Sequence, residues 1–288
     1  GDEVEIVTNQ TPFYAESGGQ VGDIGVIENS IESIAIVDTK KENNLIIHTL
    51  KELPKNLDGT FEAQVNSTNQ LSSARNHSAT HLLHESLRSI LGTHVEQKGS
   101  LVRPENLRFD FSHFERVDAE TLSQIEQDVN KKIIDNIILD ERREIQLEDA
   151  QAEGAMMLFG EKYGDTVRMI GFGTSKELCG GIHVKATGSI GLFRITSEAS
   201  VASGIRRIEA VTGEAAYRAS LADRKVLNEI GANFKGAKDI VKAVSDMQQS
   251  LSEISKEVEG LRKKEAGNVK DDLVKSFKNI YGVNFLAV

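Results

Sequence analysis

Two histidines four residues apart, His77 and His81, constrain this chain more than any other feature. On an α-helix that spacing places both imidazoles on one face, one above the other. The surrounding pattern predicts a helix from Leu71 to Leu91, ended by Gly92. Its apolar residues fall on the side opposite the histidines, so the pattern predicts that the histidines face a second surface rather than the core.

A second pair of metal-binding side chains follows about a hundred residues later. The only cysteine of the chain, Cys179, lies four residues before His183, with two glycines between them. Three imidazoles and one thiolate form a four-donor set suited to zinc. From spacing alone two interpretations stay open: one metal site formed by both pairs, or unrelated pairs with the histidine helix facing solvent.

Composition restricts the class of protein. The chain has 288 residues, of which 39% are hydrophobic and 27% charged, which is typical of globular proteins and allows two domains. A single cysteine excludes a disulfide framework, and no apolar run is long enough for a membrane span, so a cytoplasmic location is expected. The net charge of −10 is uneven: residues 221–288 carry +2 and residues 1–220 carry −12. This balance disfavours tight nucleic-acid binding.

The order of strand-like and helix-like segments predicts an α+β fold. Residues 1–68 contain five short alternating segments separated by turns and predict a small antiparallel β-barrel subdomain. Residues 69–213 mix helices and strands and predict an α/β core built on an antiparallel sheet. Residues 214–266 predict a helical hairpin or coiled coil, and residues 267–288 predict the start of a further domain.

The long helix predicted in the third region carries a heptad pattern of apolar residues. The seam consists of Ile240, Val244, Met247, Leu251, Ile254, Val258 and Leu261. Two interpretations stay open, an antiparallel hairpin with residues 214–230 and a homodimer through this seam. Gly267 is predicted to break the helix.

Three further motifs accompany the two pairs of candidate metal ligands. They are Thr11-Pro-Phe-Tyr-Ala-Glu-Ser-Gly18-Gly19-Gln20, His94-Val-Glu-Gln97-Lys-Gly-Ser, and Ser203-Gly-Ile-Arg206-Arg207-Ile-Glu-Ala-Val-Thr-Gly213. With His77-x-x-x-His81 and Cys179-Gly-Gly-Ile-His183, this sequence resembles the editing region of alanyl-tRNA synthetases and its free-standing relatives. The resemblance covers roughly residues 1–215.

The resemblance implies a function and a set of site residues. It implies hydrolysis of the wrong esters Ser-tRNA(Ala) and Gly-tRNA(Ala), with ATP and alanine used only by an aminoacylation module missing from this chain. The implied zinc ligands are His77, His81, Cys179 and His183. The implied catalytic residues are Thr80 and Gln97, and the implied contacts to the tRNA(Ala) acceptor end are Thr11, Gly18, Gly19, Gln20 and Arg206.

Several alternatives accompany these expectations. Thr80 could simply donate its hydroxyl to a helix carbonyl, and Gln97 could be a surface residue. Ser78 stands where zinc peptidases of the His-Glu-x-x-His type have glutamate, which argues against a peptidase. At the level of the whole chain, a free-standing deacylase acting in trans and a non-enzymatic, zinc-stabilised RNA-binding or dimerisation module are the two alternatives.

Overall fold

The structure is a computed structural model that describes residues 4–57, 59–157, 163–276 and 278–285. The chain divides after Ser220 into two units. Antiparallel sheets and helices alternate in the first unit, and helices dominate the second. The predicted α+β class is confirmed in this mixed form.

An antiparallel sheet of five strands opens the first unit. The strands are β1 Val4–Val7, β2 Gly25–Glu28, β3 Ser33–Glu42, β4 Leu45–Leu50 and β5 Glu62–Val65. Their order across the sheet is β1-β4-β3-β2-β5. Because side chains alternate between the faces of a strand, apolar residues at every second position gather on one face. That face packs around Phe13, Ile27, Ile34, Ile36 and Leu50.

The predicted closure of this sheet into a barrel is wrong. Among the described strands, β1 and β5 form the two edges and do not pair with each other. A cleft of about 1200 Å³ lies between the edges and is lined by residues of both strands. Closing a barrel requires tilted, staggered strands, and each edge strand here has only four residues.

The histidine helix α1, Ser67–Leu91, is the central element of the first unit. Asn66 caps it, because its side-chain oxygen accepts a hydrogen bond from the backbone N–H of Asn69 at 3.1 Å. Gly92 ends it as predicted. Both the apolar face and the histidine face are buried, so the histidines do lie away from the apolar stripe but are not on a solvated surface.

Two further antiparallel sheets and two helices surround α1. The elements are β6 Gln97–Val102, β7 Leu107–Ser112, α2 Ala119–Ile134, β8 Asp140–Gln146, α3 Leu147–Ala152, β9 Thr166–Phe172, β10 Ser175–Leu178, β11 Phe193–Ala202 and β12 Ile205–Thr212. The sheet orders are β11-β12-β7-β6 and β10-β9-β8. The main core lies between α1, α2 and the four-stranded sheet, around Leu82, Leu83, Phe109, Phe111 and Phe193.

One predicted helix of the first unit is shorter in the structure. The sequence predicts a helix over Asp149–Phe159, whereas α3 ends at Ala152. Gly154 follows with a φ of +80°, a backbone conformation that glycine adopts without strain and that ends the helix. Residues 158 and 159 of the predicted helix lie outside the described residues.

The second unit consists of helices followed by a small hairpin. Helix α4, Gly213–Asn233, begins in the first unit and continues into the second, and α5 spans Ile240–Lys275. The hairpin strands are β13 Lys278–Ile280 and β14 Val283–Phe285. Residues 286–288 of the predicted further domain lie outside the described residues. None of the described helices is long and apolar enough to cross a bilayer.

The prediction that Gly267 breaks the long helix is wrong. Helix α5 continues through this residue, and the predicted boundary between residues 266 and 267 falls inside it. One interior glycine costs only about 1 kcal/mol relative to alanine, which a helix of this length tolerates. The hairpin interpretation of the heptad seam stays a prediction, because α5, described in full, contains no buried residue and its seam is at most partly covered.

Candidate metal centre

The structure brings the two distant sequence pairs together at one point. Cys179 follows β10, and its Sγ lies 3.4 Å from Nε2 of His77 and 3.3 Å from Nε2 of His183. His81 lies one turn after His77 on α1, with its ring 4.5 Å from that of His183 between centroids. The four side chains offer donor atoms that all lie within 4.8 Å of one another and could hold a metal ion.

The spacing of the donors suits a tetrahedral ion. Typical zinc–sulfur and zinc–nitrogen bond lengths place tetrahedral ligand atoms about 3.4 to 3.6 Å apart. The two measured sulfur–nitrogen distances are close to that range. Nδ1 of His81 is buried with no hydrogen-bond partner among the described residues. A buried nitrogen without a partner is costly, and a metal ion would satisfy it.

A protein group lies beside one ring nitrogen of each of the three histidines. Nδ1 of His77 lies 2.8 Å from Oε1 of Gln20. Nδ1 of His183 lies 3.1 Å from Oγ of Ser78. Nε2 of His81 lies 3.5 Å from a carboxylate oxygen of Glu177. Such outer contacts fix ring orientation and tautomer in protein metal sites.

Burial keeps the three histidines neutral, which is the state that binds metal. Burial lowers the pKa of His77 and His183 well below the ordinary value, and neighbouring imidazoles and Arg168 add to the effect. Burial also lowers the pKa of His81. For Glu177, burial raises the pKa, but the nearby His81 and His84 outweigh it and the carboxylate stays ionised.

The loop that carries Cys179 and His183 is fixed from two sides. Nη1 of Arg168 donates to the carbonyl oxygens of Cys179 and Gly181, at 3.0 and 2.6 Å. A Cβ atom on Gly181 would lie only 2.1 Å from the His77 ring, so no larger residue fits there. Glycine is therefore needed at position 181 because the loop backbone lies close to the ring of His77.

The two predicted catalytic residues both make local hydrogen bonds. Thr80 is buried on α1, and its hydroxyl donates to the carbonyl of Asn76 at 2.8 Å, as the simpler alternative predicts. Its oxygen lone pairs stay available for a donor from substrate. Gln97 begins β6, and its amide nitrogen donates to Oγ of Ser100 at 3.2 Å.

The predicted substrate loop is anchored mainly to protein. Thr11 contacts Nε2 of His48 at 2.7 Å rather than the metal centre. Gly19 has a φ of +81°, and a Cβ on it would lie 2.4 Å from the side chain of Ser100. The close backbone approach expected at this motif is thus to strand β6, whereas Gly18 is exposed with open space around its Cα.

Arg206, the predicted contact to the acceptor end, has a carboxylate partner, and so does its neighbour Arg207. Nε of Arg206 donates to Glu198 at 2.5 Å, and its side chain is largely buried. Arg207 forms a two-point contact with Asp110, at 2.7 and 2.8 Å. Binding of a phosphate by Arg206 would therefore require exchange of an existing partner.

Several functional contacts were missed from sequence. Ser78, Glu177 and Arg168 support the metal ligands, yet none was assigned a role at the site. Glu177 lies two residues before Cys179, and alternation along a strand places residues at this spacing on one face. The sequence therefore contained an indication that Glu177 lies near the metal ligands. Ser78 and Arg168 act through positions that only the folded chain brings together.

Two segments of the chain match known protein families. Residues 167–209 match the family described as the threonyl and alanyl tRNA synthetase second additional domain. Residues 1–69 match the family of class II (A) tRNA synthetases. Both matched segments are therefore similar to domains of tRNA synthetases.

Individual relatives indicate which family of tRNA synthetases the chain resembles. The chain is 52% identical to the alanine–tRNA ligase of Christiangramia forsetii over 288 residues, which is all of this chain and 33% of the relative. It is 51% identical to that of Flavobacterium psychrophilum over 98% of this chain and 33% of the relative. It is 49% identical to that of Hydrogenovibrio crunogenus over all of this chain and 34% of the relative. The chain belongs to the alanyl-tRNA synthetase family, and it spans about one third of the length of these relatives.

Proposed function

We propose that this chain is the editing portion of an alanyl-tRNA synthetase and hydrolyses Ser-tRNA(Ala) and Gly-tRNA(Ala). The observation that carries the proposal is the cluster of His77, His81, Cys179 and His183. Cys179 and His183 lie in the segment that matches the second additional domain. The proposed RNA partner is the acceptor end of tRNA(Ala), where the amino acid is esterified.

The need for such a site follows from a limit on binding selectivity. A pocket shaped for alanine cannot strongly reject serine, because serine only adds a hydroxyl, and glycine only lacks a methyl. A second site can separate serine from alanine by bonding to that hydroxyl, which leaves its own polar groups unsatisfied when alanine enters. Thr80 is the proposed group, since its buried oxygen can accept from the serine hydroxyl.

The proposed resident ion is zinc, held by His77, His81, Cys179 and His183. Zinc bound there would supply a fixed positive charge beside the substrate ester. Two side chains are proposed to contact the substrate. Gln97 is proposed to orient the ester, and Gln20 is proposed to donate a hydrogen bond to the substrate from its amide nitrogen. That nitrogen is buried and has no hydrogen-bond partner among the described residues.

The remaining predicted contacts belong to the same proposal. Thr11, Gly18 and Gly19 are proposed to shape the wall near the acceptor end, and Arg206 is proposed to exchange Glu198 for a terminal phosphate. The negative net charge of the chain predicts modest affinity for tRNA, concentrated on the unpaired end.

A two-substrate assay tests the proposal. The chain is incubated separately with Ser-tRNA(Ala) and Ala-tRNA(Ala), and the loss of each ester is followed against a reaction without protein. We expect the seryl ester to be lost faster. Equal loss of both esters, or no loss, would contradict the proposal and leave a metal-stabilised binding module.

A substitution at Thr80 tests the selectivity argument. Thr80→Val keeps the shape of the side chain and removes the hydroxyl, so we expect the preference for the seryl over the alanyl ester to fall by about tenfold or more. Thr39→Val is the matched control, because Thr39 is also buried and its hydroxyl bonds to the carbonyl of Asp23, in the N-terminal sheet. Retained selectivity in Thr80→Val would exclude this role.

A further inference from the structure

Gln20 makes two contacts that bear on the metal ligands. Its side chain is fully buried, and its Oε1 lies 2.8 Å from Nδ1 of His77 and 3.0 Å from the backbone nitrogen of Ile182. Ile182 is the residue directly before the ligand His183. One amide oxygen therefore joins the histidine helix to the loop that carries the other ligand pair.

These two contacts determine the tautomer of His77. The backbone N–H of Ile182 can only donate, so the atom facing it must be the amide oxygen of Gln20 rather than its nitrogen. That oxygen can only accept, so Nδ1 of His77 must carry the hydrogen. The lone pair of His77 then lies on Nε2, which is the nitrogen that faces Cys179 Sγ.

The position of Gln20 is fixed by its backbone. Gly19 accepts a hydrogen bond from the N–H of Val102 at 2.7 Å, and the N–H of Val21 donates to the carbonyl of Val102 at 3.1 Å. Gln20 is thus clamped between two bonds to strand β6. Because its side chain is enclosed as well, it has no alternative orientation that would satisfy both donors.

We propose that Gln20 is a positioning residue for the metal centre, fixing the tautomer and orientation of His77 through Oε1. The inference rests on the metal binding proposed above, and it adds a group from the N-terminal loop that is not itself a ligand. It also separates two roles of one side chain. The oxygen serves the metal ligand, whereas the amide nitrogen is the group proposed to meet substrate.

Replacing the amide in two ways tests this role. Gln20→Met keeps the size of the side chain but removes the acceptor, which leaves the N–H groups of His77 and Ile182 unsatisfied. Gln20→Glu keeps an acceptor oxygen and removes the amide donor. Zinc affinity of the full chain is measured by competition with a chelator, and the absorption spectrum of the Co²⁺ form reports ligand geometry.

We expect zinc affinity to fall about 10- to 100-fold in Gln20→Met, with an altered Co²⁺ spectrum, as is typical when an outer partner of a metal ligand is lost. In Gln20→Glu, affinity and spectrum should stay close to those of the unaltered chain, while ester hydrolysis falls. The matched control is Gln70→Met, because the amide of Gln70 bonds to Asp23 and touches no metal ligand. It should leave zinc affinity unchanged.

Each result gives a decision. Unchanged zinc affinity and an unchanged Co²⁺ spectrum in Gln20→Met would overturn the inference while leaving the proposed metal site intact. An equal loss in Gln20→Met and Gln20→Glu would also overturn it, because the acceptor oxygen would then not matter. No zinc bound by the unaltered chain would instead overturn the metal site and this inference with it. If Gln20→Met does not fold, Gln20→Ala replaces it in the same comparison.

Discussion

Helices α1 and α5 both carry apolar residues at helical spacing, but they differ in how far these residues are buried. In α1, Leu82, Leu83 and Leu87 have no exposed surface, and the opposite, polar face is buried as well. In α5, described throughout, no residue is buried, and Leu251 keeps 65% of its surface exposed. Period alone identifies an apolar stripe, whereas neighbouring elements decide whether it is covered.

The difference in burial also explains why α1, and not α5, carries candidate metal ligands. Burial of α1 on both faces removes water from His77 and His81 and lowers the pKa of both. Gln20 lies against the His77 ring, and Glu177 lies against the His81 ring. A preorganised set of ligands requires such fixed surroundings. Helix α5 has a seam but no comparable surroundings, and its role in association is a separate prediction.

The largest expected effect is on metal binding in the buried region. We expect His77→Ala and Cys179→Ala each to lower bound zinc well below about one ion per chain, because a three-donor remnant leaves one coordination position to water and holds the ion less tightly. Metal analysis after dialysis measures this. His94→Ala is the matched control, since His94 is exposed and pairs with His113 outside the cluster. Full zinc content in His77→Ala would refute the assignment.

The next effect compares one leucine in each helix. Leu87→Ala should destabilise the first unit by roughly 2–5 kcal/mol, because it leaves a cavity in a fully buried site. Leu251→Ala should change the free energy of unfolding by less than about 0.5 kcal/mol, because its side chain is exposed. Urea unfolding measures both. Equal losses would mean that α5 is covered in solution.

A smaller effect is expected from pH on the metal-free chain. Burial lowers the pKa of His77 and His183 well below 6.5 in the folded state, so the unfolded chain binds more protons as the pH falls. The stability contributed by the neutral histidines is therefore present above about pH 6.5 and lost below it. The urea concentration at the unfolding midpoint of the chelator-treated chain should therefore decrease as the pH is lowered from about 8 to about 5.5.

A variant checks the source of this pH dependence. His183→Gln removes one titrating group and should flatten the decline in the urea midpoint. A midpoint that holds steady or rises as the pH falls would show that these histidines are not buried in neutral form.

Much of the first unit follows from local sequence rules. The end of α1 at Gly92 and the antiparallel strands of residues 4–65 were predicted, because capping and strand alternation act over a few residues. The four donors were found from two four-residue spacings, which a helix and a tight loop each bring to one face.

What the sequence did not predict depends on contacts between distant segments. Whether β1 and β5 meet is decided by strand length and twist across the whole sheet, so the barrel was predicted wrongly. The motif ending in Gln20 indicated substrate contact, but its oxygen faces His77 from 57 residues away. The pairing of Arg206 with Glu198 likewise requires a known strand register.

The last prediction concerns the uncovered seam of α5. Met247, Leu251 and Ile254 are each more than half exposed, and burying apolar surface contributes about 25 cal/mol per Å². Pairing of two α5 helices would cover the seam, so we expect the mass from light scattering to rise towards twice that of one chain as concentration increases. Leu251→Asp should abolish the rise, because it would bury an unpaired charge. Gln249→Asp is the matched control, since the heptad places residue 249 opposite the seam. A mass that stays at one chain at every concentration would exclude the homodimer and leave the hairpin with residues 214–230.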